Sequence, residues 1–359
     1  MNGTAHLDLA FDLNPSAATI DASCYVVPRP LVRAATEMTP GGFMRFLPTA
    51  TLALLATTAS AQYSNSKVEQ HVTAARAVAG EHAGMVDRLC PMPGAARVGT
   101  APVGPRPVPA RDTWHAEPVK VFDNMYFVGM TEFATWAVTT SAGIVVIDPI
   151  FDYSVEDEVV GGLTKLGLDP KTIRYVIVSH GHYDHAGGAK LLQERFGAHV
   201  LLSAADWDLL EREKPSWLPR RDMEVVDGQK LTVGDTTFEM YLTPGHTNGT
   251  ISTVFPVRDG GARHVAALWG GTLFNFGPDG ERFAAYAKSS ARFRDIAARA
   301  GADVILSNHT DYDGSKVKLP ALATRAPKSG HPYVVGADSV RRYLTVANEC
   351  AQAALATLE

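Results

Sequence analysis

The chain has 359 residues, 46% hydrophobic and 20% charged, with 33 Lys+Arg against 38 Asp+Glu for a net charge of -5. That composition excludes a mainly disordered chain, and the acidic balance excludes a nucleic-acid partner held chiefly by phosphate neutralisation. The cysteines Cys24, Cys90 and Cys350 are too few for a disulfide scaffold or an all-thiolate zinc site.

The first strongly apolar stretch begins at Met44-Arg45, runs through Phe46-Leu47-Pro48 and a Leu/Ala/Thr segment to Thr58, and closes on Ala59-Ser60-Ala61. A basic start, a short apolar run and an A-x-A end predict a secretory signal peptide over 44–61, cleaved near Ala61. The expected location is therefore periplasmic or secreted, with a buried core helix as the alternative. The stretch falls short of the ~20 apolar residues that span a bilayer, so no stable membrane insertion is expected. Residues 1–43 lie upstream of that signal and show no periodicity. They are expected to be a non-native or disordered extension before a start at Met44, the alternative being a real cytoplasmic extension. Without them Cys90 and Cys350 remain, in an oxidising compartment, free to pair or to stay apart.

Residues 62–112 form the next unit. Val68, Val72, Ala75, Ala79, Val86 and Leu89 recur at three- and four-residue steps, predicting an amphipathic helix over 66–89. Cys90-Pro91 ends it, and Pro102, Pro105, Pro107 and Pro109 make an extended connector. The helix is expected to pack on the main domain, with a lid or a homo-oligomer contact as the alternative.

From 113 to 359 short β runs alternate with helices. Strands are predicted at Val119–Val128, Ala134–Thr139, Ile144–Ile147, Ile173–Val178, His199–Leu202, Lys230–Val233, Thr237–Leu242, Ile251–Phe255, Val265–Leu268 and Val304–Leu306. Helices are predicted at Gly188–Phe196, Phe283–Ala300 and from Ser339 to Leu358. Strands mixed with covering helices make a layered α/β domain.

The chemistry gathers after the strand Ile173–Val178, in Ser179-His180-Gly181-His182-Tyr183-Asp184-His185-Ala186-Gly187-Gly188. His180 and His182, two apart on extended chain, point to one side, and Asp184 and His185 follow on the turn. Two further histidines leave strand ends for loops: His246 in Thr243-Pro244-Gly245-His246-Thr247, and His309 in Leu306-Ser307-Asn308-His309. Imidazole and carboxylate donors without thiolate suit zinc, with iron or manganese as alternatives, and three ligands per metal leave positions open for catalysis. Tyr183 and Asn308, each beside a ligand, are candidates for substrate or oxyanion contact, against packing for the first and a turn hydrogen bond for the second. Trp207, Trp217, Phe274 and Phe276 are candidates for the pocket mouth, with ordinary packing as the alternative. Arg220-Arg221 reads as an exposed pair or a contact for an acidic substrate, and His264 as surface or structural.

The H-x-H-x-D-H run, the later Gly-His-Thr and the strand-end histidine resemble the metallo-β-lactamase superfamily over roughly residues 115–350. The resemblance implies a four-layer αββα sandwich, here with an extra N-terminal helix, and two zinc ions at the edge of the sheets. It implies a first metal on His180, His182 and His246, and a second on Asp184, His185 and His309. Asp184 would also orient the nucleophile, and Asp148 matches the family's aspartate that steadies a ligand imidazole. After Val265–Leu268 this chain reads Trp269-Gly270-Gly271-Thr272-Leu273-Phe274-Asn275, lacking the bridging Asp or zinc-binding Cys of other branches. That absence and the ligand His185 are similar to the B3 subclass, whose substrate-binding serine pair falls on Thr272 and Phe274. The Asp311 and Asp313 carboxylates after His309 depart from that subclass and are expected to sit badly beside an anionic substrate.

These readings imply a zinc-dependent hydrolase of a small molecule, β-lactamase-like, with no nucleic-acid partner. The alternative is the same hydrolase acting on a lactone, ester or aryl halide. An iron oxidoreductase is a third reading, opposed by the histidine-rich first site, and a non-catalytic binding protein is opposed by the complete set of ligands.

Overall fold

The computed structural model describes residues 66–91, 107–326 and 329–359. The extension, the signal segment and most of the proline-rich connector lie outside them. Among the described residues no helix is long and apolar enough to cross a membrane.

Among the described residues twelve strands form two sheets. The first takes β1 (Val119–Phe122), β2 (Met125–Phe127), β3 (Trp136–Thr140), β4 (Gly143–Ile147), β5 (Ile173–Ile177), β6 (His199–Ser203) and β7 (Met223–Val225) in chain order. It is antiparallel up to β4 and parallel from β4 to β7. The second takes β8 (Gln229–Val233), β9 (Thr236–Leu242), β10 (Ile251–Asp259), β11 (Ala262–Trp269) and β12 (Val304–Ser307), in the order β12-β11-β10-β9-β8. Its last pair, β11 with β12, is parallel.

Period-two alternation turns these sheets into layers. On β4, Val145 and Ile147 face the core between the sheets, with Trp136, Phe238 and Phe255. The intervening Ile144 and Val146 face outward and are covered by α3 (Gly161–Lys165), α5 (Ala189–Phe196) and α6 (Ala204–Glu213), through Leu163, Leu192 and Leu210. The four-residue helix α4 (Tyr183–Ala186) lies between α3 and α5 in sequence and carries the Asp184-His185 pair. The outer face of the second sheet packs on α1 (Ser66–Ala79), α2 (Ala83–Leu89), α7 (Gly280–Arg299) and α9 (Ala337–Ala356). A short helix, α8 (Ser315–Ala323), follows β12. The result is the helix–sheet–sheet–helix sandwich.

The helix expected over 66–89 is two helices joined by a 3-10 turn at Gly80–His82, where Gly80 takes φ +52. Both run along α9, and Val72, Ala75, Met85 and Leu89 are buried there. Cys90 and Cys350 form a disulfide, with Cα atoms 4.3 Å apart and a sequence separation of 260.

Candidate metal centre

Both sheets contribute strand ends to one place. Asp148 follows β4, Ser179 to His185 follow β5, His246 follows β9, Gly270 follows β11 and His309 follows β12. Glycine is required at two of these turns. Gly245 has φ +143, and a Cβ there would lie 2.5 Å from Tyr286, while one on Gly270 would meet the Ile251 carbonyl at 1.8 Å.

His180, His182 and His246 come together. His180 Nε2 and His182 Nδ1 each lie 3.0 Å from His246 Nε2. The other nitrogen of two of these rings fixes the tautomer. His180 Nδ1 faces the Gly270 carbonyl at 2.8 Å, and His246 Nδ1 faces the Leu273 carbonyl at 2.7 Å. A carbonyl only accepts, so each Nδ1 carries the hydrogen and each Nε2 presents a lone pair. Two lone pairs 3.0 Å apart do not bond to each other; they fit a cation bound by both. Burial, then the neighbouring imidazoles, pushes His180 and His246 far below the ordinary histidine pKa, keeping them in the neutral form a metal needs.

Asp184, His185 and His309 make a second group beside the first. His185 Nε2 is 3.1 Å from Asp184 Oδ2 and 3.3 Å from His309 Nε2, and His309 Nε2 is 3.7 Å from the same oxygen. His185 Nδ1 lies 3.1 Å from Asp148 Oδ2, off the line of a well-formed hydrogen bond. Burial disfavours the charged His185, but Asp184 and Asp148 outweigh it and lift the imidazole to about 10. Burial would raise Asp184, yet His185 and His309 hold it far below the usual carboxylate range. His309, buried and beside His185, is held down at about 3. The proton that Asp184 and Asp148 favour on His185 is what a divalent ion bound there would replace. The donor sets fit zinc in both places.

Asp148 takes φ +56, a strained backbone for a non-glycine residue, held by surrounding bonds. Its carboxylate accepts from Ser179 N at 2.6 Å and Ser179 Oγ at 2.7 Å. Asn308 is buried and differs from the expected substrate contact. Its amide nitrogen donates to the Gly270 carbonyl at 2.8 Å and to Ser179 Oγ at 3.2 Å, so it steadies the carbonyl that fixes His180. The Tyr183 hydroxyl donates to Asp152, and its ring stacks on Trp217 at 5.1 Å. Burial and that carboxylate raise its pKa, so it keeps its proton and spends it on Asp152.

The expected substrate contacts also sit differently. Thr272 is 1% exposed, with its hydroxyl on those of Ser307 and Tyr343 at 3.2 and 3.3 Å. Phe274 keeps part of its ring exposed and packs edge-on against Phe283 and Tyr286. The feared carboxylates are both engaged: Asp313 is buried and accepts from Ser307 N and Ser315 N, each at 2.9 Å. Asp311 pairs with Arg88 and Lys316. Trp207 is fully buried and donates to the Met223 carbonyl, and Arg221 is paired with Asp208, Glu211 and Glu224. His264 lies against Asp303.

Two positioning residues carry no motif signal. Asp206, in the first turn of α6, accepts from Gly181 N (2.9 Å), Thr247 Oγ1 (2.7 Å) and Gly249 N (3.0 Å). Arg282 donates to the carbonyls of Gly245 and His246 and lies 3.9 Å over the Phe276 ring.

A family model described as the metallo-beta-lactamase superfamily matches residues 134–262. Among curated proteins, the hydroxyacylglutathione hydrolase of Acidiphilium cryptum is 32% identical over 178 residues, 46% of this chain and 65% of that protein. An N-acyl homoserine lactonase of a Bacillus species is 27% identical over 110 residues, 30% of this chain and 42% of that protein. The chain thus spans less than two-thirds of the curated relatives it matches. Among solved structures, BJP-1, a subclass B3 metallo-β-lactamase of Bradyrhizobium japonicum, is 26% identical at a TM-score of 0.56, covering 64% of this chain and 90% of that one. The Rm3 metallo-β-lactamase is 27% identical at the same TM-score of 0.56, covering 65% and 91%.

Proposed function

The chain belongs to the metallo-β-lactamase superfamily, and from that premise we propose that it is an exported, two-zinc hydrolase of a small acyl compound, in the manner of a B3 β-lactamase. One observation carries the reading: two adjacent three-donor sets, His180/His182/His246 and Asp184/His185/His309, with lone pairs converging and neither bridging Asp nor Cys between them. Zinc held there supplies Lewis acidity, which makes water a competent nucleophile near neutral pH and polarises a carbonyl.

The chain's own groups do the rest. Asp184, ionised across the working range, accepts a hydrogen bond from the attacking water and fixes its line of approach. Asp148 sets a negative charge beside His185 and anchors Ser179 against His180, and Asn308 steadies the carbonyl that sets the His180 tautomer. Export is supported by the segment 44–61 and by the Cys90–Cys350 disulfide, a bond that persists in oxidising compartments.

A second reading shares the site but changes the substrate to a lactone, thioester, other ester or aryl halide. It is favoured by the hydroxyacylglutathione hydrolase and lactonase relatives, and by Phe274 and buried Thr272 where B3 enzymes carry serines. Turnover of a chromogenic cephalosporin by the zinc-loaded protein, with a chelator control, separates the two. Chelator-sensitive cleavage supports the lactamase reading. Chelator-sensitive turnover of thioesters or lactones alone supports the second, and no hydrolysis of any of them contradicts both.

A further inference from the structure

Five aromatic rings line one flank of the site, and the ligand geometry uses none of them. Phe133 pairs through its backbone with His309 across an isolated antiparallel bridge. Its ring sits 5.1 Å from the His309 ring and 6.3 Å from that of His185. Phe151 stands edge-on to Phe133 at 5.0 Å, and Tyr183 edge-on to Phe151 at 4.8 Å. Tyr153 stacks on Phe151 at 4.9 Å, and Trp217 backs Tyr183. Trp217 is buried, but Phe133, Phe151, Tyr153 and Tyr183 all keep part of their surface exposed.

A run of half-exposed rings beside a catalytic centre is a costly way to build a surface unless something covers it. Tyr153 stacks on Phe151 and Trp217 on Tyr183, which braces the wall, and a further ring packs on such a cluster edge-on or offset. The Tyr183 hydroxyl donates to Asp152, which engages the phenol oxygen and leaves the ring as the contact surface.

We propose that Phe133, Phe151 and Tyr183 form a substrate subsite on the His185/His309 side that takes an aromatic substituent. The proposal rests on the hydrolase reading, since it assigns the part of the substrate on the second-metal flank. Tyr183 acts here as a wall and not as a proton donor to the reaction.

Calorimetric titration of the zinc-loaded full chain with phenylacetohydroxamic acid and acetohydroxamic acid tests it without turnover. The aromatic hydroxamate should bind about tenfold more tightly, the order given by one or two ring contacts. In a Phe133→Leu/Phe151→Leu variant with unchanged zinc content the ratio should fall to about twofold, because leucine keeps apolar bulk and removes the ring. Phe151→Leu alone, at a ring that touches no ligand histidine, should lower the ratio partway and covers the case in which the double variant folds poorly. Equal affinities in the wild type, or a ratio that survives both variants, would overturn the subsite. Either of those results with acyl turnover intact sinks the subsite alone. A retained ratio with no turnover of any acyl substrate sinks the hydrolase reading and leaves the aromatic preference standing.

Discussion

One carboxylate joins the two loops that carry the first group of histidines. Asp206 is 1% exposed and receives three donors, from Gly181 between His180 and His182 and from Thr247 and Gly249 after His246. Burial raises its pKa, so those donors are what make an ionised or shared-proton group tolerable there. Asp206→Ala takes the acceptor from the Gly181 and Gly249 N–H groups in the interior and leaves the Thr247 hydroxyl only Thr250, for an expected loss of about 2–4 kcal/mol in urea unfolding. Zinc retention against a competing chelator should weaken in step; an unchanged midpoint and unchanged retention would remove Asp206 from this role. That the structure brings His180, His182 and His246 together, and Asp184, His185 and His309 beside them, was legible because imidazole and carboxylate at fixed spacing advertise themselves. Asp206 and Arg282 were not, since their partners are backbone groups far away in sequence. Thr272 was misplaced for a related reason: an ungapped match fixes a position along the chain, and the buried hydroxyls of Ser307 and Tyr343 decide which way the side chain turns.

Among elements, strands with clean alternation and long apolar-striped helices were readable, and short or interrupted ones were not. Val119–Val128 reads as one run, but Asp123-Asn124 turn it into the β1–β2 hairpin. β7 has three residues, too few for a period to show, and α8 carries Pro320 inside it. α6 was missed altogether, although Ser203 caps it by accepting from Asp206 N. The N-terminal helix was expected to pack on the main domain, and α1 and α2 do lie along α9. The packing is reinforced by Glu81 with Arg342 (2.8 Å), His71 with Glu349 (2.7 Å) and the disulfide. Because the bridge closes a loop of 260 residues, its removal frees much of the unfolded chain. A Cys90→Ser/Cys350→Ser variant should lose about 2–5 kcal/mol, read as a lower melting temperature that reductant does not change further. An equal melting temperature in wild type and variant would show that the helix is held by its apolar face alone.

For the whole molecule, the four-layer sandwich follows from alternation: one face of each sheet turns to its partner and the other to helices. The site lies where strand ends of both sheets converge, so ions bound there connect β5 of the first sheet with the loops after β9 and β12 of the second. Removing them leaves buried imidazole lone pairs facing one another and two carboxylates around His185 without a metal. The central claim is that this arrangement is a two-metal centre. Zinc titration of chelator-stripped protein, followed by atomic emission on the dialysed product, measures it directly. Two equivalents of zinc retained per chain is the outcome expected here; one equivalent or none would contradict it.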